Sequence, residues 1–304
     1  MKETSPLAPA PVAPPAPEGR VNVNGTICDP AEARVSVFDH GFLFGDSIYE
    51  TIRTHRGVPA FLDRHFQRLA GSARGLALTI PFSEDRLRAE IDRTLAAAGL
   101  PEAVIRLVIT RGEGPVTLDP TVCGSPNLVV IVRPAPRFPE TCYTEGVPIA
   151  LVEVTRNLRF ALDPAIKSGN YLNNVLATIQ MRRWNAFEGV MCNYEGQVAE
   201  ATGSNIWIVR DGTVITPPLE AGILSGITRH VLLAAARREG LPVEETNFPA
   251  DALYGAAECF LTSSVKKVMP VSRCNDRPIG DGTVGPLTRR MMALYAEELE
   301  RDHA

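Results

Sequence analysis

The 304-residue chain has no run of about 18 apolar residues, so no stretch reads as a membrane-spanning helix. Basic residues are not in excess: 31 Lys and Arg stand against 35 Asp and Glu, a formal net charge of −4. The electrostatic footprint of a nucleic-acid-binding protein is therefore missing. Cysteine is sparse and unpatterned. The six, at positions 28, 123, 142, 192, 259 and 274, form no C-x-x-C pair and no zinc-ligand spacing, and the five histidines are equally dispersed. This reads as six reduced, mostly buried thiols in a cytoplasmic protein, with no metal centre expected. No internal repeat is visible.

What is present has ordinary globular texture: 45% hydrophobic and 22% charged residues, in a chain long enough to bury most of its apolar surface. The N-terminal ETSPLAPAPVAPPAPEG is dense in Pro and Ala and lacks a charged region followed by an apolar core. It is expected to be a disordered, solvated tail over residues 1–19, and it does not read as a signal peptide.

Beyond the tail, strand-length apolar runs alternate with helical patterns, which predicts a mixed α/β protein of two domains. The expected division is a smaller N-terminal α/β domain over 20–133, a Pro/Gly-rich linker over 134–146, and a larger C-terminal domain over 147–304. RVSVFDHGF and SIYETIRTHRGVPAF read as strands, the second as a hairpin turning at Arg56-Gly57. FLDRHFQRLAGSARGL and SEDRLRAEIDRTLAAAGL read as helices, the latter capped by Ser83. VIRLVITRG, NLVVIVRPAP and VPIALVEV read as strands, and GVMCNYEGQVAEATGSNIWIVRDGTVITPP as a strand meander. ECFLTSSVKKVMPV follows, and SGITRHVLLAAARREG and GPLTRRMMALYAEELE read as helices.

Four features of the second half bear on chemistry. Lys167 precedes a helical run in which Leu172, Val175, Leu176 and Ile179 share one face. Such a lysine is usually a surface residue with its ammonium in water, and the alternative is a desolvated nucleophilic amine. Glu200 lies between a turn and an apolar strand, where a carboxylate is most often paired with a surface base. In LSGITRHVLL, Gly226, Ile227 and Thr228 open a helix whose unpaired amides suit an anion, with Ser225 as an ordinary N-cap the competing reading. In FLTSSVKKV, Thr262, Ser263 and Ser264 could satisfy local backbone or serve a phosphate. A lysine for an imine, a carboxylate for a ring nitrogen and a cradle for phosphate are together what pyridoxal 5′-phosphate requires.

The wording and order of FGDSIYETIR, FLDRHFQRL, KSGNYLNNVLA, EATGSN and ILSGITR resemble the fold-type IV pyridoxal-phosphate enzymes. These are the branched-chain aminotransferases, D-amino-acid aminotransferases and aminodeoxychorismate lyases. The resemblance runs from about Val21 to the last helix. It implies that Lys167 binds the cofactor as an imine and shuttles a proton, that Glu200 pairs with the pyridinium nitrogen, and that Tyr171 bonds the ring hydroxyl oxygen. It further implies a phosphate site made by Arg64, the Ile227 and Thr228 amides and Ser264, and an assembly of at least a homodimer.

Within the family, D-amino-acid enzymes are expected to carry an arginine and a histidine after the TRG strand. TRGEGPVTLDP has neither between Gly112 and Pro120. The lyases usually lack the YLNN continuation. The branched-chain type is closest, which implies an L-amino acid donor and a 2-oxo acid acceptor such as 2-oxoglutarate. It places the Ser264-Val265 amides on the substrate α-carboxylate, Arg106 on a distal carboxylate, and Phe44 and Tyr49 in an apolar pocket. For the two aromatics, ordinary core packing is the competing reading. Phe44 and Val104 stand where some branched-chain enzymes have tyrosines, and Thr51 where glycine is common.

Overall fold

The structure, a computed structural model, describes residues 18–303. The expected N-terminal tail, apart from Glu18 and Gly19, lies outside the described residues.

The first sheet has six strands: β1 (Arg20–Val23), β2 (Thr26–Cys28), β3 (Ser47–His55), β4 (Val58–Pro59), β5 (Ala103–Thr110) and β6 (Leu128–Pro134). Their order is β2-β1-β6-β5-β3-β4. The β3–β4 hairpin turns at Arg56-Gly57 as the sequence predicts; both have positive φ (52° and 81°), the twist that two-residue hairpin loops favour. Helices α2 (Leu62–Gly75) and α3 (Glu84–Ala98) cover one face, and the Ser83 hydroxyl accepts from the Arg86 amide as its cap. Strand periodicity sorts β3 by face. Ile48 and Ile52 pack with Phe66, Leu69 and Ile91, while Tyr49, Thr51 and Arg53 alternate onto the other face.

RVSVFDHGF is not a strand. Residues 34–38 join no ladder, and the segment ends in a short helix, α1 (His40–Phe44). Local capping overrides the apolar alternation: the Asp39 carboxylate accepts from the Gly41 amide, and Gly45, at φ 70°, stops the helix. Val35, Val37 and Phe38 stay exposed.

The expected linker region holds only a four-residue helix, α4 (Thr141–Thr144), before the second sheet begins. That sheet has nine strands: β7 (Val147–Leu151), β8 (Glu188–Cys192), β9 (Val198–Ala201), β10 (Asn205–Arg210), β11 (Thr213–Thr216), β12 (Val243–Glu245), β13 (Glu258–Ser263), β14 (Lys267–Cys274) and β15 (Arg277–Pro278). The order is β12-β11-β10-β13-β14-β7-β8-β9, with β15 on β14. The predicted meander is therefore split. β8–β9 and β10–β11 are hairpins, but β10 pairs with β13 and not with β9. The break falls at residues 202–204, where the Thr202 hydroxyl, the Gly203 amide and the Ser204 hydroxyl turn to the Glu188 carboxylate instead of to a neighbouring strand. Helices α5 (Leu172–Met181), α6 (Ile227–Arg238), α7 (Asp251–Tyr254) and α8 (Pro286–Asp302) complete the fold. α6 and α8 bury Leu232, Leu233, Met291 and Leu294 against Trp207 and Phe260.

Candidate active site

Lys167 is placed by the backbone around it. Its amide donates to the Ser72 hydroxyl on α2, and its carbonyl accepts from the Tyr49 amide on β3. Gly169 donates to the Ser47 carbonyl, so the segment is fastened along β3 before α5 begins. A Cβ on Gly169 would lie 2.2 Å from the Ser47 hydroxyl and 3.2 Å from the Gly45 carbonyl, so a side chain here would displace Ser47. The Lys167 ammonium is buried, with no carboxylate in contact among the described residues. Its nearest polar neighbours are the phenols of Tyr171 at 3.4 Å and Tyr49 at 3.5 Å. Burial lowers its pKa, and the Arg68 charge adds to that, against the opposing pull of Tyr171 and Glu50. This is the desolvated amine, not the snorkelling surface lysine.

Lys167 opens into a cavity of about 340 Å³. On one wall Glu200, from β9, is buried and held by four donors. Arg156 gives Nε and Nη2 to Oε1, both at 2.9 Å, while the Leu224 amide (3.0 Å) and Asn205 Nδ2 (3.4 Å) reach Oε2. Arg156 also donates to Asn173 and Asn174 at the start of α5. Sequence reasoning missed Arg156, which lies in no recognised motif. Asn205 was visible as the last residue of EATGSN, though not in this capacity.

At the other end the structure corrects one assignment. Arg64 does not line this cavity. It faces a neighbouring one of about 730 Å³ together with His230. Arg68, four residues on and one helical turn (about 6 Å) further along α2, lines both this neighbouring cavity and the Lys167 cavity. Its Nε and Nη2 fork onto Glu50 at 2.8 and 2.5 Å, and its Nη1 donates to the Ser225 carbonyl at 2.9 Å. Glu50 is fully buried. Burial would raise its pKa, but the Arg68 charge and hydrogen bonds, with His65, bring it down to about 2. Burial lowers the pKa of His65 against the raising pull of Glu50, and its Nδ1 lies 2.6 Å from Glu50 Oε2, in place to donate to that carboxylate. The signal for Arg68 was available in QRL of FLDRHFQRL, but spacing alone could not choose between two arginines one turn apart.

Beside Arg68, α6 begins at Gly226, which is its N-cap and carries no side-chain cap bond; the Ser225 N-cap reading does not hold. A Cβ on Gly226 would lie 1.9 Å from Asn205 Oδ1, so a side chain there would push Asn205 off Glu200 and the Leu224 carbonyl. The Ile227 and Thr228 amides have no acceptor among the described residues, as first-turn amides do not. Ile227 lines the cavity. The Thr228 side chain does not, because its hydroxyl points to Tyr295 OH at 3.4 Å. Ser264 and Val265, in the turn between β13 and β14, both line it.

Tyr49 and Thr51 form a further wall with Arg106, the cross-strand partner of Thr51. The Arg106 guanidinium stacks over the Tyr49 ring at 3.7 Å and has no ion-pair partner among the described residues. Phe44 is not part of the wall: it packs edge-on against His40 on α1, with ring centroids 5.0 Å apart, and is partly exposed.

Residues 47–274 match the profile of the family described as amino-transferase class IV. A Methanocaldococcus jannaschii protein provisionally named branched-chain-amino-acid aminotransferase is 39% identical over 278 residues, covering 91% of this chain and 96% of that one. The D-alanine aminotransferase of Listeria monocytogenes is 33% identical over 287 residues, covering 92% and 96%. Among solved structures, the branched-chain amino acid aminotransferase of Thermoproteus uzoniensis with norvaline superimposes with a TM-score of 0.85 at 29% identity, covering 93% of this chain and 95% of that one.

Proposed function

The chain belongs to the class IV aminotransferases, and on that premise we propose that it moves the amino group of a branched-chain L-amino acid to a 2-oxo acid such as 2-oxoglutarate. The observation that carries this reading is the buried Lys167 amine, without a carboxylate partner, in one cavity with Glu200 and the unpaired Arg106.

The residues present fit pyridoxal 5′-phosphate. A buried amine whose pKa is lowered, a buried carboxylate and a set of donors suited to a phosphate face one cavity, and the α6 amides are left without acceptors. When bound, the cofactor supplies an electrophilic carbon and an electron-withdrawing ring. Lys167 Nζ would hold it and act as the base that takes up and returns the substrate Cα proton, a task its lowered pKa suits. Glu200, fixed by Arg156, would face the ring nitrogen, and Tyr171 the ring hydroxyl. Arg68, the Ile227 and Thr228 amides and Ser264 would hold the phosphate. The Ser264 and Val265 amides would take the α-carboxylate, with Arg106 free to meet a distal one. Thr51 and Tyr49 would border the substrate side chain.

Against a D-amino acid donor stands the loop after β5, which has no arginine or histidine between Gly112 and Pro120. The similarity to a D-alanine aminotransferase makes that donor the second reading. The test is an absorbance spectrum of cofactor-loaded protein before and after L-leucine, L-glutamate or D-alanine. Conversion to the pyridoxamine form by L-leucine, with release of its 2-oxo acid, is expected. Conversion by D-alanine alone would replace the donor assignment. No conversion by any amino acid, with 4-aminobenzoate formed from aminodeoxychorismate, would make it a lyase.

The assembly we propose is a homodimer. Leu172, Val175, Leu176 and Ile179 form a stripe on α5, each 47–64% exposed, an apolar face that a second copy would cover. Sedimentation would show a dimer, and charged substitutions on the stripe would shift it to monomer. All six cysteines are unpaired, which supports a cytoplasmic setting.

A further inference from the structure

The turn joining β13 to β14 carries a cation that the cofactor assignment leaves unused. We propose that Lys266 is a specificity-determining residue that, with the Ser264 and Val265 amides, selects substrates bearing an α-carboxylate. The inference rests on the aminotransferase reading for the identity of that carboxylate.

The turn is held from three sides. Arg53 Nη1 donates to the Val265 carbonyl at 2.8 Å, Tyr143 OH donates to the Lys266 carbonyl at 3.3 Å, and the Lys266 amide donates to the Ser263 hydroxyl at 3.2 Å. With the carbonyls turned outward in this way, the Ser264 and Val265 amides donate to no protein acceptor among the described residues. Both residues line the cavity, as does Lys266.

The Lys266 ammonium is fixed by Glu188 Oε1 at 2.6 Å and Ser204 Oγ at 3.3 Å. Glu188 is buried and already accepts from Thr202, Gly203 and Ser204, so this one carboxylate ties the 202–204 loop and the 264–266 turn to each other across the cavity. An ammonium has three donors, and two are taken. The third remains beside Gly203, where a Cβ would come within 3.4 Å of Nζ. The cavity presents no unpaired negative charge to an incoming anion. Arg68 is balanced by Glu50, Lys266 by Glu188 and the lining carboxylate Glu200 by Arg156, while Arg106 has no ion-pair partner among the described residues. Arg68 belongs to the phosphate end and Arg106 stands on the β3–β5 wall, which leaves Lys266 as the lining cation carried by the same turn as the unpaired amides.

The test is calorimetric binding of 4-methylpentanoate, a carboxylate with a branched side chain and no amino group, to cofactor-loaded protein. Wild type should bind it far better than the neutral 4-methylpentanamide. Lys266→Met should weaken the acid about tenfold, the scale of one hydrogen bond to a charged group, and leave the amide unchanged. Lys266→Arg should recover most of the loss. Unchanged acid binding in Lys266→Met would overturn the proposal. Equal losses for acid and amide would also overturn it, because they would mean the lysine only holds the fold. Failure of the function reading is separate: wild type would give no 2-oxo acid from any amino acid, while Lys266-dependent binding of the acid persisted.

Discussion

Two arginines face the Lys167 cavity and are held in opposite ways. Arg68 makes three hydrogen bonds of 2.5–2.9 Å, two of them a fork onto fully buried Glu50. Arg106, on β5, has only the face of Tyr49 beneath it at 3.7 Å. A guanidinium locked by its own carboxylate is pre-organised for one ligand that never changes. A guanidinium resting on an aromatic ring can accept a carboxylate or swing aside for an apolar group. That difference fits the proposed transfer, in which the phosphate contact would stay constant while the two substrates alternate between a branched side chain and a distal carboxylate.

The largest expected effect lies between the two ends. Lys167→Ala should lower amino transfer by about 10⁴-fold or more in a 2-oxo acid assay. Lys167→Arg should not rescue it, because a guanidinium does not give up its proton.

Next comes the anchored end. Glu50→Gln removes one negative charge from the Arg68 fork and should weaken pyridoxal-phosphate affinity roughly 10–100-fold, read by fluorescence titration, as loss of a ligand's supporting partner does. Acid stability sharpens the point. The Glu50 carboxyl sits at about 2 when folded against 4.5 when free, so its folded pKa is depressed. It therefore contributes roughly 3 kcal/mol that is present above pH 4.5 and lost as pH falls towards 2. Denaturant unfolding of Glu50→Gln across this range should show a flatter acid limb than wild type.

The unanchored end should respond more selectively. Arg106→Met should raise KM for L-glutamate and 2-oxoglutarate about tenfold while leaving that for L-leucine little changed. Equal changes for all three would mean that Arg106 is structural and that the contrast between the ends is false. The smallest effect is expected from Arg64→Met, with cofactor affinity and KM near wild type. A loss as large as that of Glu50→Gln would return the phosphate contact to Arg64.

Short-range features were legible because their causes are short-range. The Arg56-Gly57 turn, the Ser83 cap and the strand over SIYETIRTH each depend on a few neighbouring residues, and all appear as expected. RVSVFDHGF misled for the same reason: its alternation is real, but alternation is only half of a strand, and Asp39 and Gly45 gave the chain a local alternative. In the cavity, Lys167, Tyr171, Glu200 and the α6 N-terminus were recognisable from motif order. Arg156 and Glu188 were not, because each acts through partners far along the chain, 44 residues for Arg156 and Glu200 and 78 for Glu188 and Lys266.

The sequence by itself determined the alternation of elements, the aminotransferase motifs and which lysine precedes α5. Only the tertiary structure decided that this lysine is buried without a carboxylate, that Arg68 rather than Arg64 enters its cavity, and that Lys266 stands beside two unpaired amides. Periodicity, caps and turns are set by a residue's near neighbours. Burial and charge pairing are set by whatever the fold brings against it, here Glu50 on β3 for Arg68 and Glu188 on β8 for Lys266.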